Sequence, residues 1–344
     1  MPFSLTKSIA KIAGIALLGA TVALTGCKNF LYSTTGDVLI NYGKDDLMPY
    51  LLGTDDTVMA CHAGESLTPL LLSFQRVGVD PNQIATMVWM VAGACEENLA
   101  FEEELRYMRA VKAGNVNEAQ DARIAQKRHY INSARREYKG YQAMVSYFGV
   151  QPGDRCPSFK DDNDQLSWLI GNLSGILAVF GDSIAEGNAG VPKDIAVKAE
   201  RAMTCLDPEK WWGVPLSVRA ALWTVVPGVI PPGEDAWKQL RAASIMGEKK
   251  GVRLAHALEA IAAGNAGKTP LLREIIKMHV HSKRTVAASK TELILDTMSD
   301  DMILQISDRM WTEATGKRTP LGGLGTFWDE KPKAADTVDI GDIL

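Results

Sequence analysis

Cys61, His62 and Glu65 stand together in the stretch TVMACHAGESL, residues 57–67. Three kinds of chemistry use such residues: metal ligation, catalysis by an activated thiol, and disulfide formation. On a helix, His62 and Glu65 are three apart and share a face. A carboxylate-bridged metal centre in a helical bundle takes Glu-x-x-His twice, with further glutamates on facing helices. Here the order is reversed and no second copy occurs. The acids of EENLAFEEEL (Glu96, Glu97, Glu102, Glu103 and Glu104) read as a solvated face that pairs with later basic residues. No metal site is expected. Helix neighbours diverge by about 100°, so adjacency does not make Cys61 and His62 a nucleophile with its base. A disulfide is the reading that remains.

His279 and His281, in KMHVHSKR, diverge by about 200° on a helix and do not grip one metal. With Lys277, Lys283 and Arg284 they are a candidate cationic rim for an anionic ligand. Trp211 and Trp212 are adjacent in a short segment that is not expected to turn both rings inward, so one is a candidate ligand or partner surface. The chain has no Gly-x-Ser-x-Gly elbow, no Walker loop and no Cys-x-x-Cys pair, and GGLGTF follows no predicted strand. No cofactor, no catalytic residue and no enzymatic activity are expected.

The segment 1–26 carries Lys7 and Lys11 and no acid, followed by an uncharged apolar stretch, the pattern of a bacterial export signal. Leu24, Thr25, Gly26 and Cys27 resemble the lipobox read by lipoprotein signal peptidase, which implies lipid on Cys27 and anchoring to a membrane. No aspartate follows Cys27, which favours the periplasmic face of the outer membrane. Loss of the segment with its two lysines moves the formal charge from -4 to -6, so nucleic acid is not an expected partner. In an oxidising compartment the other four cysteines, Cys61, Cys95, Cys156 and Cys205, are expected to form two disulfides. Three pairings are open. Cys61 with Cys95 is favoured, because they lie in consecutive helical segments joined by the short turn RVGVDPNQ. Cys156 would then pair with Cys205.

Nearly every segment reads as helix, and no alternating β-branched run is bounded by turns. The class is all-α: stacked helical hairpins, as a degenerate tetratricopeptide-like repeat array or an irregular helical bundle. Gly78 stops a first helix, Asp80-Pro81 opens one over 82–113, and Asn115 with Glu118 opens another that runs to Gly149. Helices are also expected at 163–186, 192–206, 215–226, 233–249, 252–263, 269–281, 284–297 and 299–314. The organisation is a linker over 27–54, a helical domain over 55–314 with a sub-boundary near 150–163, and an extended or disordered tail over 315–344.

Gly-Asn pairs at 114, 187 and 264 stand at three similar junctions, spaced by 73 and 77 residues. In ERAMTCLDP, the residues Ala202, Met203, Leu206, Asp207 and Pro208 look like the closing half of a tetratricopeptide repeat. With LTGC and the all-helical chain, these features resemble the T component associated with tripartite ATP-independent periplasmic (TRAP) transporters. The resemblance implies a lipid-anchored periplasmic helical-repeat protein that partners a solute-binding protein and hands over small ligands. It places no ligand residue on this chain.

Overall fold

Local signals set the helix boundaries where the chain also has an apolar stripe to bury. A computed structural model describes residues 29–226 and 228–330, which contain helices and no strand. The signal segment and Cys27 lie outside the described residues, as do residues 331–344. The helices are α1 (29–52, with a π turn at Gly43–Leu47), α2 (Thr57–Ser73), α3 (Asn82–Lys112), α4 (Val116–Phe148), α5 (Asp162–Ile184) and α6 (Ile195–Ala202). They continue with α7 (Val214–Val225), α8 (Ala236–Lys250), α9 (Leu254–Asn265), α10 (Thr269–Thr285) and α11 (Leu293–Thr315). Two units divide them. One holds the chain up to Glu96 with Ile131–Cys205; the other holds Glu97–Tyr130 and everything from Leu206.

The first unit packs Ile40 of α1, Leu71 of α2, and Val79, Ile84 and Val88 around the start of α3 into one cluster. Residues 27–54 were expected as a linker. Gly36, Ile40, Gly43 and Leu51 are buried at helical spacing instead, and this stripe makes the segment a packed helix. Gly64 of α2 meets α3 closely: a Cβ there would lie 2.5 Å from Val91 Cγ2 and 2.9 Å from the Ala92 nitrogen. α5 is long and apolar enough to cross a membrane, but it is a core helix of this unit. Its Trp168 is fully buried, donates Nε1 to the Ala202 carbonyl at 3.0 Å, and meets Phe148 edge-on at 5.3 Å.

The second unit is built on two hairpins, α7 with α8 and α9 with α10. α9 touches α7, α8, α10 and α11. Ala257, Ala260, Ala263, Leu272, Ile275, Ile276, Ile303 and Ile306 form an apolar cluster in it. The expected break between helices at 284–297 and 299–314 is displaced. Residues 286–292 leave the helix and α11 runs unbroken, because the Val286 carbonyl accepts from Arg253 and the Ser289 nitrogen donates to the Gly251 carbonyl at 3.0 Å. Residues 316–330, expected as the start of a loose tail, are non-helical and anchored. Phe327 is buried in the same cluster, and Arg273 holds both Asp329 oxygens at 2.9 Å.

The three Gly-Asn junctions are not conformationally alike. Gly114 takes φ +70° and Asn115 Oδ1 accepts from the Glu118 nitrogen at 3.2 Å, as expected of a stop and a cap. Gly187 also turns left-handed at φ +80°, but Asp182 organises the following loop, accepting from the nitrogens of Ala189, Gly190 and Val191. At the third junction Gly264 and Asn265 stay helical, and Gly267 makes the left-handed turn.

Candidate functional site

Both disulfides are present, Cys61 with Cys95 and Cys156 with Cys205, each with Cα atoms 5.4 Å apart. The close approach at Gly64 brings the first pair together across α2 and α3. His62 lies beside the bridge: its Nδ1 is 3.9 Å from Cys95 Sγ. Glu65 Oε2 is 3.3 Å from the same nitrogen, and Glu65 Oε1 accepts from Arg136 Nη1 at 2.6 Å. Burial raises the Glu65 carboxyl, and the bonds from Arg136 and His62 outweigh it, leaving the group below its ordinary value.

The surface role expected of Trp211 and Trp212 is not what their geometry gives. Both rings are buried, meeting edge-on at 5.3 Å. Trp212 adopts φ +52° and Gly213 φ +76°, and this left-handed turn swings the second ring inward where a helix or strand would have turned it out. The expected cationic rim is likewise taken apart. His279 is fully buried and its Nε2 lies 2.8 Å from Asp300 Oδ1; Lys283 pairs with Asp300 and Lys277 with Glu330. His281 is exposed. The hydrogen bonds from His279 and Lys283 outweigh burial and hold the Asp300 carboxyl below its ordinary value.

Around His279 lies a polar core with no sequence motif. Arg253, fully buried, meets Asp296 through Nη1 at 2.9 Å to both carboxylate oxygens, and its backbone nitrogen donates to Asp296 Oδ1 at 2.9 Å. Its Nε donates to Ser282 Oγ at 2.7 Å, and its Nη2 to the carbonyls of Ser282 and Val286. The His256 ring meets the His279 ring edge-on at 5.6 Å and places Nε2 3.2 Å from the Ser244 carbonyl. Burial pushes the His256 imidazole down to about 3, with further lowering from the neighbouring His279, Arg253 and Arg241. Glu259 accepts from Ser244 Oγ at 2.6 Å and from Arg241 Nε at 2.9 Å, and burial still pushes its carboxyl up. These bonds join α8, α9, α10 and α11, so the cluster is a structural pin.

A cleft opens to solvent in each unit. In the first unit, a cleft of about 500 Å³ runs along residues 150–160, and its acid, Asp164, already accepts from Gln83, Tyr147 and the Lys160 nitrogen. In the second unit, a cleft of about 490 Å³ is walled by Trp223 and Trp237, with Ile230, Thr224, Glu234 and Lys268 around it. Lys268 Nζ sits 5.1 Å from the Trp237 ring centre. Two indoles with two acids, Glu234 and Asp235, and one base, Lys268, at the edge form a surface for a small molecule with an apolar face and a polar rim. Sequence placed Trp223 and Trp237 in helices and nothing more; they are 14 residues apart with a loop between, a spacing that carries no recognisable signal. Comparison with protein-family models, with curated proteins and with solved structures finds no match to this chain.

Proposed function

We propose that this chain is a lipid-anchored periplasmic binding protein, held to the outer membrane through Cys27, that takes a small ligand and passes it to or from a partner protein in solute uptake. The partner class is a periplasmic solute-binding protein, in the manner of the T component associated with TRAP transporters, which the sequence resembles. The observation that carries the reading is the cleft of about 490 Å³ with Trp223 and Trp237 as walls, a size within the range of small-molecule sites. Two further features support it: the LTGC lipobox resemblance and the oxidised cysteine pairs. The hairpins α7–α8 and α9–α10 are the stacked helical units that a binding scaffold of this kind uses.

The test is to purify the tagged, detergent-extracted protein from its own cells and identify by mass spectrometry the N-terminal lipid and the co-purifying proteins. Diacylglycerol-modified Cys27 together with a solute-binding protein is the expected result. An unmodified N-terminus, or recovery of envelope-assembly proteins alone, would replace this reading with a scaffold that has no ligand.

A further inference from the structure

We infer that Cys61, His62 and Cys95 form a zinc site that opens when the Cys61–Cys95 bridge is reduced. The three donor atoms, two sulfurs and His62 Nδ1, all lie within 4.8 Å of one another. A tetrahedral zinc ion with Zn–S about 2.3 Å and Zn–N about 2.0–2.1 Å holds such donors roughly 3.5–3.8 Å apart. The His62 Nδ1 to Cys95 Sγ distance of 3.9 Å is close to that edge before any ion arrives. The bonded sulfurs have to separate, which χ1 rotation at the two cysteines and a small shift of α2 against α3 provide, and the exposed His62 ring has to turn from Glu65.

The surroundings suit a cation held by two thiolates. Glu65 Oε2 lies 3.3 Å from the same Nδ1, so zinc takes the place of this contact when it binds. Arg136 fixes the other Glu65 oxygen at 2.6 Å and stands 3.3 Å from Glu96 Oε1, so the acids around the site are already balanced by a guanidinium. The sulfurs are buried and the His62 side chain is 67% exposed, which makes the imidazole the side from which an ion enters.

The chemistry balances with a dithiol as reductant. Two electrons pass to the bridge, the S–S bond breaks, the sulfurs of Cys61 and Cys95 take up two protons, and the dithiol is left as a disulfide. Zinc then displaces both thiol protons to solvent and is held by two thiolates and Nδ1, with the fourth position open to water. The site is independent of the tryptophan cleft.

Cobalt(II), a spectroscopic substitute for zinc, tests this on the full chain. The protein is reduced with a phosphine, desalted without oxygen and titrated. One equivalent is expected to give tetrahedral d–d bands with thiolate-to-metal charge transfer, bleached by zinc and absent in the oxidised protein. His62→Ala, at an exposed position, is expected to weaken cobalt binding by about tenfold or more while leaving the thermal unfolding of the oxidised protein unchanged. Reduction also opens the Cys156–Cys205 bridge, which His62 does not contact, so the His62→Ala comparison reports on the right pair. Absence of the bands in the reduced protein, or equal affinity in the His62→Ala variant, would overturn the inference.

Discussion

Arg253 directs its whole guanidinium to partners on α10, α11 and the segment between them, and Asp296 receives three of those bonds with the backbone nitrogen included. A buried pair of this kind gains little over an apolar replacement, but removing one partner leaves an uncompensated charge. Asp296→Ala is expected to cost about 3–5 kcal/mol, read as a lowered urea midpoint at unchanged m value. His256 makes the same core sensitive to acid. In the unfolded chain an imidazole binds its proton below about 6.5, whereas the folded site does so only near 3. Between those values the unfolded state holds more protons, so stability is fully present above about 6.5 and falls as pH drops toward 3. From 6.5 to 4 this amounts to roughly 3 kcal/mol, and His256→Phe is expected to flatten that part of the stability–pH curve, measured by denaturant unfolding from pH 7 to 4. None of this was readable from spacing: Arg253 and Asp296 are 43 residues apart and His256 and His279 are 23 apart. The stretch KMHVHSKR looked like a basic surface because its acid partners, Asp300 and Glu330, arrive from elsewhere in the chain.

Helices were legible wherever apolar period and end signals coincided. Asp80-Pro81 before α3 and Gly114-Asn115 between α3 and α4 act as the sequence implied. The misreadings have a common physical origin, which is that tertiary bonds outweigh local preference. Gly251 and Arg253 draw residues 286–292 out of helix, and α1 folds because its stripe from Gly36 to Leu51 finds α3. The Trp211-Trp212-Gly213 turn is the sharpest case. At Gly213 the backbone has φ +76° and a Cβ would lie 2.2 Å from the Ala243 carbonyl oxygen, so α8 closes directly on the turn. Gly213→Ala is expected to destabilise by about 2 kcal/mol or more, combining the left-handed penalty with the clash, and to shift tryptophan fluorescence as the two rings lose their packing. Gly78→Ala, left-handed with nothing within 4 Å of its Cβ, serves as the comparison and is expected to cost only the backbone term, about 1–2 kcal/mol.

At the scale of the molecule, the fold class and both cysteine pairings were within reach of the sequence, because helical period and the short turn before α3 are local facts. The cleft was not, because Trp223 ends one helix, Trp237 begins the next, and only the packing of α7 on α8 makes them two walls of one space. The proposed function stands on binding in that cleft. Native mass spectrometry of the protein isolated from its own cells, beside a Trp237→Ala variant isolated the same way, is the test. The expected result is a bound small-molecule mass on the native chain that is lost from the variant, which unfolds at a lower temperature because Trp237 also packs on two apolar clusters but is still folded under the conditions of the measurement. A native chain that carries no added mass, or an added mass that survives Trp237→Ala undiminished, would contradict it.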